Sequence, residues 1–313
     1  MDDEPQNTFS DNNKEISQEL TDNAKSKIAF YTSKITVIAG LAFVILLCFF
    51  VAFGLYWIIS RTIFNQSKIV IPQTKVPILC NTYTKYSIEN FNKSGNGKRR
   101  TYTFWIYIND MNKYRGTYKH VFHIGDADNI TKGTPYIFLD KNENKLYVRF
   151  AAVEQNDDTY SKPSMNRPVR SSVMNLTDLD LKVYMEQGIE IPYIPIQRWV
   201  HIAIVVNENA NGGTVTAYVD GDLSKTVSTN DGSSKISIKN LDLDKMGDLH
   251  VGGSLEASLG PGFSGLISKV SMFNYDLNDR DVYHDYNQGP LDGFLASLGL
   301  ANYGIRSPIY KIT

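Results

Sequence analysis

The chain has 313 residues, 32 basic and 33 acidic side chains and a formal net charge of -1. That balance carries no basic excess and does not indicate binding to nucleic acid. The two cysteines are Cys48, inside an apolar run, and Cys80, alone in the remainder, so there is no disulfide framework.

Residues 1–34 are polar and acid-leaning, with Asp2, Asp3, Glu4, Asp11, Glu15, Glu19 and Asp22. They lack an apolar face and are expected to be flexible, with Glu15 to Lys27 able to form a short helix. Residues 35–59 read ITVIAGLAFVILLCFFVAFGLYWII and hold no charged side chain. At the rise of a helix this run crosses a hydrocarbon core. Tyr56 and Trp57 stand near one end, where amphipathic rings favour the membrane interface. The run is longer than the core of a signal peptide, and no small-x-small step follows it at Ser60 to Phe64. An uncleaved transmembrane anchor is therefore expected. Lys25, Lys27 and Lys34 cluster before it, whereas Arg61, Lys68 and Lys75 are spread behind it. This places residues 1–34 on the cytosolic face and Ser60–Thr313 across the membrane.

Residues 60–82 are expected to be a linker or a leading strand, because Pro72 and Pro77 interrupt the apolar residues there. Residues 83–288 read as one all-β domain, a two-sheet antiparallel jelly-roll sandwich. Its strands are expected over Tyr102 to Ile108, Lys119 to Ile124, Tyr136 to Leu139, Leu146 to Phe150 and Trp199 to Val206. Thr214 to Val219, Leu223 to Val227, Lys235 to Ile238, Leu249 to Val251 and Gly265 to Tyr275 complete the set. Asp220-Gly221 is a tight hairpin signal. Trp199 opens a core strand and is expected to plug one end of the sandwich. Residues 154–195 are a polar, proline-broken insertion expected to be irregular. A short helix over Asp276 to Tyr286, capped by Asn278, closes the domain.

Four pieces in this order carry a resemblance: TFWIYI at Thr103–Ile108, IQRWVHIAIVV at Ile196–Val206, VTAYVDGDL at Val215–Leu223, and LHVGG with FSGLISKVSMFNYDLNDRDV at Leu249–Gly253 and Phe263–Val282. Together they resemble the concanavalin A-like lectin/glucanase superfamily in its laminin-G-like form. That resemblance implies a sandwich that binds ligands at its rim, in some members with one calcium ion.

Catalysis is not expected. The glycosidases of that superfamily carry a Glu-x-Asp-x-x-Glu strand, and retaining hydrolysis needs two carboxyls about 5–5.5 Å apart; no such motif occurs. His201 lies within a core strand, and His120, His123, His250 and His284 are scattered without zinc spacing. Asp126, Asp128 and Asp140 are loop carboxylates and candidate calcium ligands, calcium being the one cofactor in view. Tyr114, Tyr118 and Tyr160 are candidate glycan-stacking rings. Asn65, Asn92, Asn129 and Asn175 head glycan-acceptor sequons.

Residues 289–313 repeat no strand pattern yet carry Phe294, Leu298, Leu300, Ile305 and Tyr310, the candidate partner-binding side chains. One anchor, a laminin-G-like domain without catalytic carboxylates and this tail resemble membrane-anchored virion proteins of large DNA viruses. The resemblance implies a lipid bilayer and neighbouring structural proteins such as capsid proteins as partners. A calcium-dependent glycan-binding or adhesion module is the alternative.

Overall fold

The computed structural model describes residues 8–88, 97–125, 133–152, 187–210, 212–229, 238, 241–244, 247–253 and 260–291. The chain divides into two compact units, Met1–Gln66 and Ser67–Thr313.

The first unit is helical. Helix α1 runs over Thr8–Ser67, 60 residues without a break. It extends beyond both ends of the apolar run, so the polar residues from Thr8 to Lys34, expected to be flexible, are helical. Residues 60–67, expected to be a linker, are helical too. Once a long helix is nucleated, each added residue gains a hydrogen bond at little further entropic loss. Polar side chains in the leading part bond back along the same helix: Thr21 Oγ1 donates to the Ser17 carbonyl at 2.8 Å and Thr32 Oγ1 to the Ile28 carbonyl at 2.7 Å. Within α1, Glu19–Ile59 is long and apolar enough to cross a membrane, and none of its most apolar stretch is buried inside the protein.

The second unit is a two-sheet sandwich. Strands β1 (Lys68–Val70), β2 (Ile78–Leu79), β3 (Thr84–Tyr86), β4 (Arg100–Asp110), β5 (Lys119–Gly125), β6 (Tyr136–Leu139), β7 (Leu146–Arg149) and β8 (Ala151–Ala152) come first. Strands β9 (Gly188–Ile191), β10 (Trp199–Asn207), β11 (Thr214–Val219), β12 (Asp222–Ser228), β13 (Leu241–Asp242), β14 (Asp248–Val251) and β15 (Ser264–Phe273) follow, then helix α2 (Asp279–Asn287). One sheet has the order β1-β15-β4-β10-β11-β12, with β2 also on β15; the other has the order β3-β14-β5-β6-β7-β9. Strands β8 and β13 form a separate pair. The pairs are antiparallel; β5-β6-β7 and β10-β11-β12 are consecutive, while β4-β10, β5-β14 and β4-β15 join strands far apart in sequence, as in a jelly roll.

Alternation decides which side chains face inward. On β4, Tyr102, Phe104, Ile106 and Ile108 point into the core; on β10, Val200, Ile202, Ile204 and Val206 do. Opposite them β5, β7 and β14 supply Phe122, Ile124, Val148, Leu249 and Val251. Phe104 and Phe122 meet edge to face at 5.0 Å across the two layers.

Several expectations need adjustment. Residues 188–191 were expected to be irregular, but they form β9 on β7, where a Cβ at Gly188 would stand 2.1 Å from the Val148 carbonyl oxygen. The prolines of 72–77 do not prevent pairing, because β1 and β2 sit on the edge of their sheet and flank a 3-10 turn at Pro72–Lys75. Of the strand expected over Lys235 to Ile238, only Ile238 is among the described residues. The hairpin after β11 forms as expected, with Asp220 at φ 55° and Gly221 at φ 85°, the two left-handed positions of a tight turn.

Candidate functional site

The inner faces are apolar except at their ends, where Arg100 and Lys119 are buried against carbonyl oxygens; the larger buried polar clusters lie on the two outer faces. On the seven-stranded sheet it lies beneath α2. Asn278 caps that helix, its side chain accepting from the Asp281 amide at 2.9 Å. The register of the helix then presents Val282, Asp285 and Tyr286 to the sheet. Asp285 is 2 % exposed and receives two partners. Lys68 Nζ, from β1, lies against Oδ1, and His201 Nε2, from β10, donates to Oδ2 at 3.1 Å. Lys68 also donates to Gln288 Oε1 at 3.2 Å. Burial alone would push the Asp285 carboxyl up, but Lys68 and His201 together hold it well below the carboxylate range. His201 Nδ1 has no hydrogen-bond partner among the described residues. Trp105 packs on the ring of Tyr286 at 5.7 Å and on His201 at 5.1 Å. The cluster fastens α2 and β1 to the sheet.

On the six-stranded sheet three histidines meet, which their sequence positions had not suggested. His123 and His250 stack at 4.6 Å with ring planes 8° apart, and Tyr136 stacks on the other face of His123 at 4.8 Å. Backbone carbonyls fix the tautomers. His120 Nδ1–H donates to Gly252 O at 2.7 Å, so its Nε2 accepts from His123 Nδ1–H at 2.9 Å. His250 Nε2–H donates to Gly125 O at 3.0 Å, leaving Nδ1 to accept from the Tyr83 hydroxyl at 2.7 Å. All three rings are at most 1 % exposed. Burial pushes the pKa of His120 down to about 4; the Gly252 carbonyl opposes that shift and His250 adds to it. The stack is a chain of neutral hydrogen bonds. Among the described residues no group of three or more His, Cys, Asp or Glu side chains is placed to hold a metal ion.

Asp140 is the one calcium candidate among the described residues; Asp126 and Asp128 lie outside them. Its Oδ1 accepts from the Asn142 and Glu143 amides at 2.8 and 2.9 Å, and Oδ2 from the Tyr147 hydroxyl at 3.1 Å. The carbonyl oxygens beside it are occupied too. The buried Lys119 ammonium donates to the carbonyls of Thr117, Asp140 and Lys141 at 3.0–3.2 Å. A lysine thus supplies the positive charge at this rim. Of the glycan candidates, Tyr118 is 1 % exposed and packs edge-on to Phe138 at 5.7 Å, Tyr114 is half-buried, and Tyr160 lies outside the described residues. So do Phe294, Leu298, Leu300, Ile305 and Tyr310.

Other polar residues have structural partners. Glu208, a turn carboxylate, accepts from the Lys98 amide at 3.0 Å, and Glu190 stands 3.9 Å from both Lys145 and Lys225. Cys80 is fully buried, and burial pushes its thiol up, away from the reactive thiolate. No sequence signal pointed to the histidine stack, because its members come from β5 and β14, which are neighbours only in the folded sheet.

The profile of the concanavalin A-like lectin/glucanases superfamily, in a laminin-G form, matches residues 184–283, less than half of the chain. No curated protein matches the chain. Among solved structures it is similar to the botulinum neurotoxin type G receptor binding domain, at 14% identity and TM-score 0.37 over 67% of this chain and 45% of that one. It is similar to the botulinum neurotoxin serotype D binding domain, at 11% identity and TM-score 0.38 over 70% and 46%. A further structure described as a receptor binding domain gives 14% identity and TM-score 0.39 over 68% and 46%. The chain spans less than half the length of these three proteins. The second unit is a two-sheet antiparallel sandwich, and its residues 184–283 are similar to the concanavalin A-like, laminin-G form of that profile.

Proposed function

We propose that the chain is a non-enzymatic, membrane-anchored interaction protein whose sandwich docks on neighbouring structural proteins. The observation that carries the reading is continuity: α1, with its unburied apolar stretch, ends at Ser67, and the first strand of the sandwich begins at Lys68. The chain passes from the anchor helix into the first strand with no residue between them. Its buried ionisable groups support the non-enzymatic part, since Asp285, His201, Lys68 and the three stacked histidines are engaged with one another or with backbone. In its finer form the reading makes the chain a minor capsid or virion membrane protein that links a membrane to a protein shell. Its support is the co-occurrence of one anchor, a sandwich whose sequence lacks the Glu-x-Asp-x-x-Glu motif and an apolar tail.

The tail side chains Phe294, Leu298, Leu300, Ile305 and Tyr310 are the proposed contacts with the neighbour. The test compares the full chain with one ending at Pro290. The reading expects both to melt within about two degrees of each other, with the short form losing its partner in co-purification. A large fall in melting temperature with partner binding intact overturns it, since each large buried side chain is worth about 1.5–3 kcal/mol. Calcium-dependent glycan binding would require Asp140 to exchange three internal hydrogen bonds for a metal ion. Retention of the full chain on glycans that a chelator abolishes would favour that alternative.

A further inference from the structure

The outer face of the seven-stranded sheet is not uniformly covered. The row His201, Trp105 and Ser268, paired across β10, β4 and β15, is buried beneath α2 and the residues after it. The next row with side chains on the same face is Trp199, Tyr107, Leu266 and Leu79. Its register is continuous over four strands: Trp199 opposite Tyr107, Tyr107 opposite Leu266, and Leu266 opposite Leu79. Their sequence neighbours Val200, Ile106, Ile267 and Ile78 point into the core, so these four point outward. Directly opposed side chains have Cβ atoms about 4.5–5.5 Å apart, which makes the row a connected strip about 14 Å long. It is open: Leu79 is 48 % exposed, and Trp199, Tyr107 and Leu266 are half-buried. Trp199 therefore does not plug the sandwich, as its position before a core strand suggested. It lies on the outer face, edge-on to Tyr107 at 5.7 Å.

Two more apolar groups are exposed on segments that reach the buried row beside the strip. Ser268 Oγ donates its one proton to the Pro290 carbonyl at 2.7 Å and lies 3.3 Å from the Thr74 carbonyl, which brings the 3-10 turn and the chain after α2 to Ser268. Val76, two residues beyond Thr74, is 71 % exposed, and Leu291, next to Pro290, is 38 % exposed.

We propose that this strip is a lipid-contacting face that lays the sandwich against the membrane holding its own anchor. The inference rests on the anchor reading given above. Two observations select the bilayer as occupant. One is composition: Trp and Tyr rings beside aliphatic side chains, with the exposed Lys75 on the same turn as Val76, suit the interfacial zone where one end of a ring is apolar and the other wet. The other is tethering. Eight helical residues, 60–67, separate Ile59 from Lys68, about 12 Å of rise, so the sandwich is tethered close to a bilayer and contact becomes an intramolecular event.

The chain has three tryptophans, Trp57, Trp105 and Trp199, and they make the test internal. Full-length W57F removes the ring in the span. It is reconstituted into vesicles of phosphatidylcholine and phosphatidylserine whose phosphatidylcholine carries bromine high on one acyl chain. The proposal expects tryptophan emission to be partly quenched in W57F, quenched by a larger fraction in W57F/W105F, and largely unquenched in W57F/W199F. Leu79→Asp in the W57F background keeps the fold, its site being exposed, and is expected to reduce the quenching by placing a charge in the strip. Absence of quenching in W57F that floats with the vesicles overturns the proposal while leaving the anchor intact. Failure to float overturns the anchor reading and the proposal together. Efficient cross-linking between copies through Leu79→Cys, without quenching, assigns the strip to a second copy and also overturns it.

Discussion

The two outer faces of the sandwich bury polar groups by opposite means. The seven-stranded sheet buries charge: a lysine, a carboxylate and a histidine drawn together from residues 68, 285 and 201. The histidine cluster of the six-stranded sheet is made of neutral rings whose tautomers are dictated by carbonyls, with the buried Arg149 on Gln187 standing apart from it. A buried ion pair stands only while both members are present, whereas a neutral stack stands only while protons stay off it. The two faces should therefore fail under different perturbations.

The largest effect is expected at the charged face. Asp285→Ala leaves the Lys68 ammonium, 6 % exposed at its side chain, without its carboxylate and should destabilise the fold by about 3–5 kcal/mol in denaturant unfolding. If the double variant with Lys68→Met is no more stable than Asp285→Ala alone, the stranded charge is not the cause.

Acid should separate the faces next. His120 has a folded pKa of about 4 against an unfolded value of 6.5. Between those values the unfolded chain binds more protons, so stability falls as pH drops from 6.5 towards 4, by up to about 3 kcal/mol. Asp285 runs in a lower window. Its folded pKa lies below the unfolded value, so its contribution is present above the unfolded value and is lost only as pH falls beneath about 4. Unfolding free energies at pH 7, 5 and 3 should show two declines. His120→Gln, which keeps a hydrogen-bonding side chain, should flatten the first and spare the second. A first decline unchanged in that variant would remove His120 as its source.

A smaller effect concerns the cover of the charged face. Asn278→Ala deletes the cap of α2 and should cost about 1 kcal/mol, with faster amide exchange over Asp279–Asn287 and none over β5 or β14. Exchange spreading into the histidine stack would mean that the two faces are not independent.

Much of the fold could be read from local pattern. Strands β6 and β11 fall where alternation put them, and β5, β10, β12 and β15 differ by a residue or two at their ends. Each carries its own apolar period, and the Asp220-Gly221 turn and the Asn278 cap are equally local signals. What escaped was non-local. Strands β2 and β13, two residues each, have no period to detect and exist because β15 and β8 offer free edges. Lys68 and Asp285 are 217 residues apart, and no spacing rule joins them. The histidines looked scattered because only the pairing of β5 with β14 puts His123 opposite His250. Trp199 was misplaced by one step of alternation: the strand is a core strand, but the tryptophan is on its outer side.

The central claim, that a single anchor carries the sandwich across a membrane, is tested most directly by protease treatment of sealed vesicles holding the full chain with a tag at each end. After alkaline extraction the chain should stay in the membrane fraction. Protease added outside should remove the N-terminal tag while the C-terminal tag and residues 67–313 stay shielded. Release of the chain by alkali, or loss of the C-terminal tag with the N-terminal tag intact, would contradict the account.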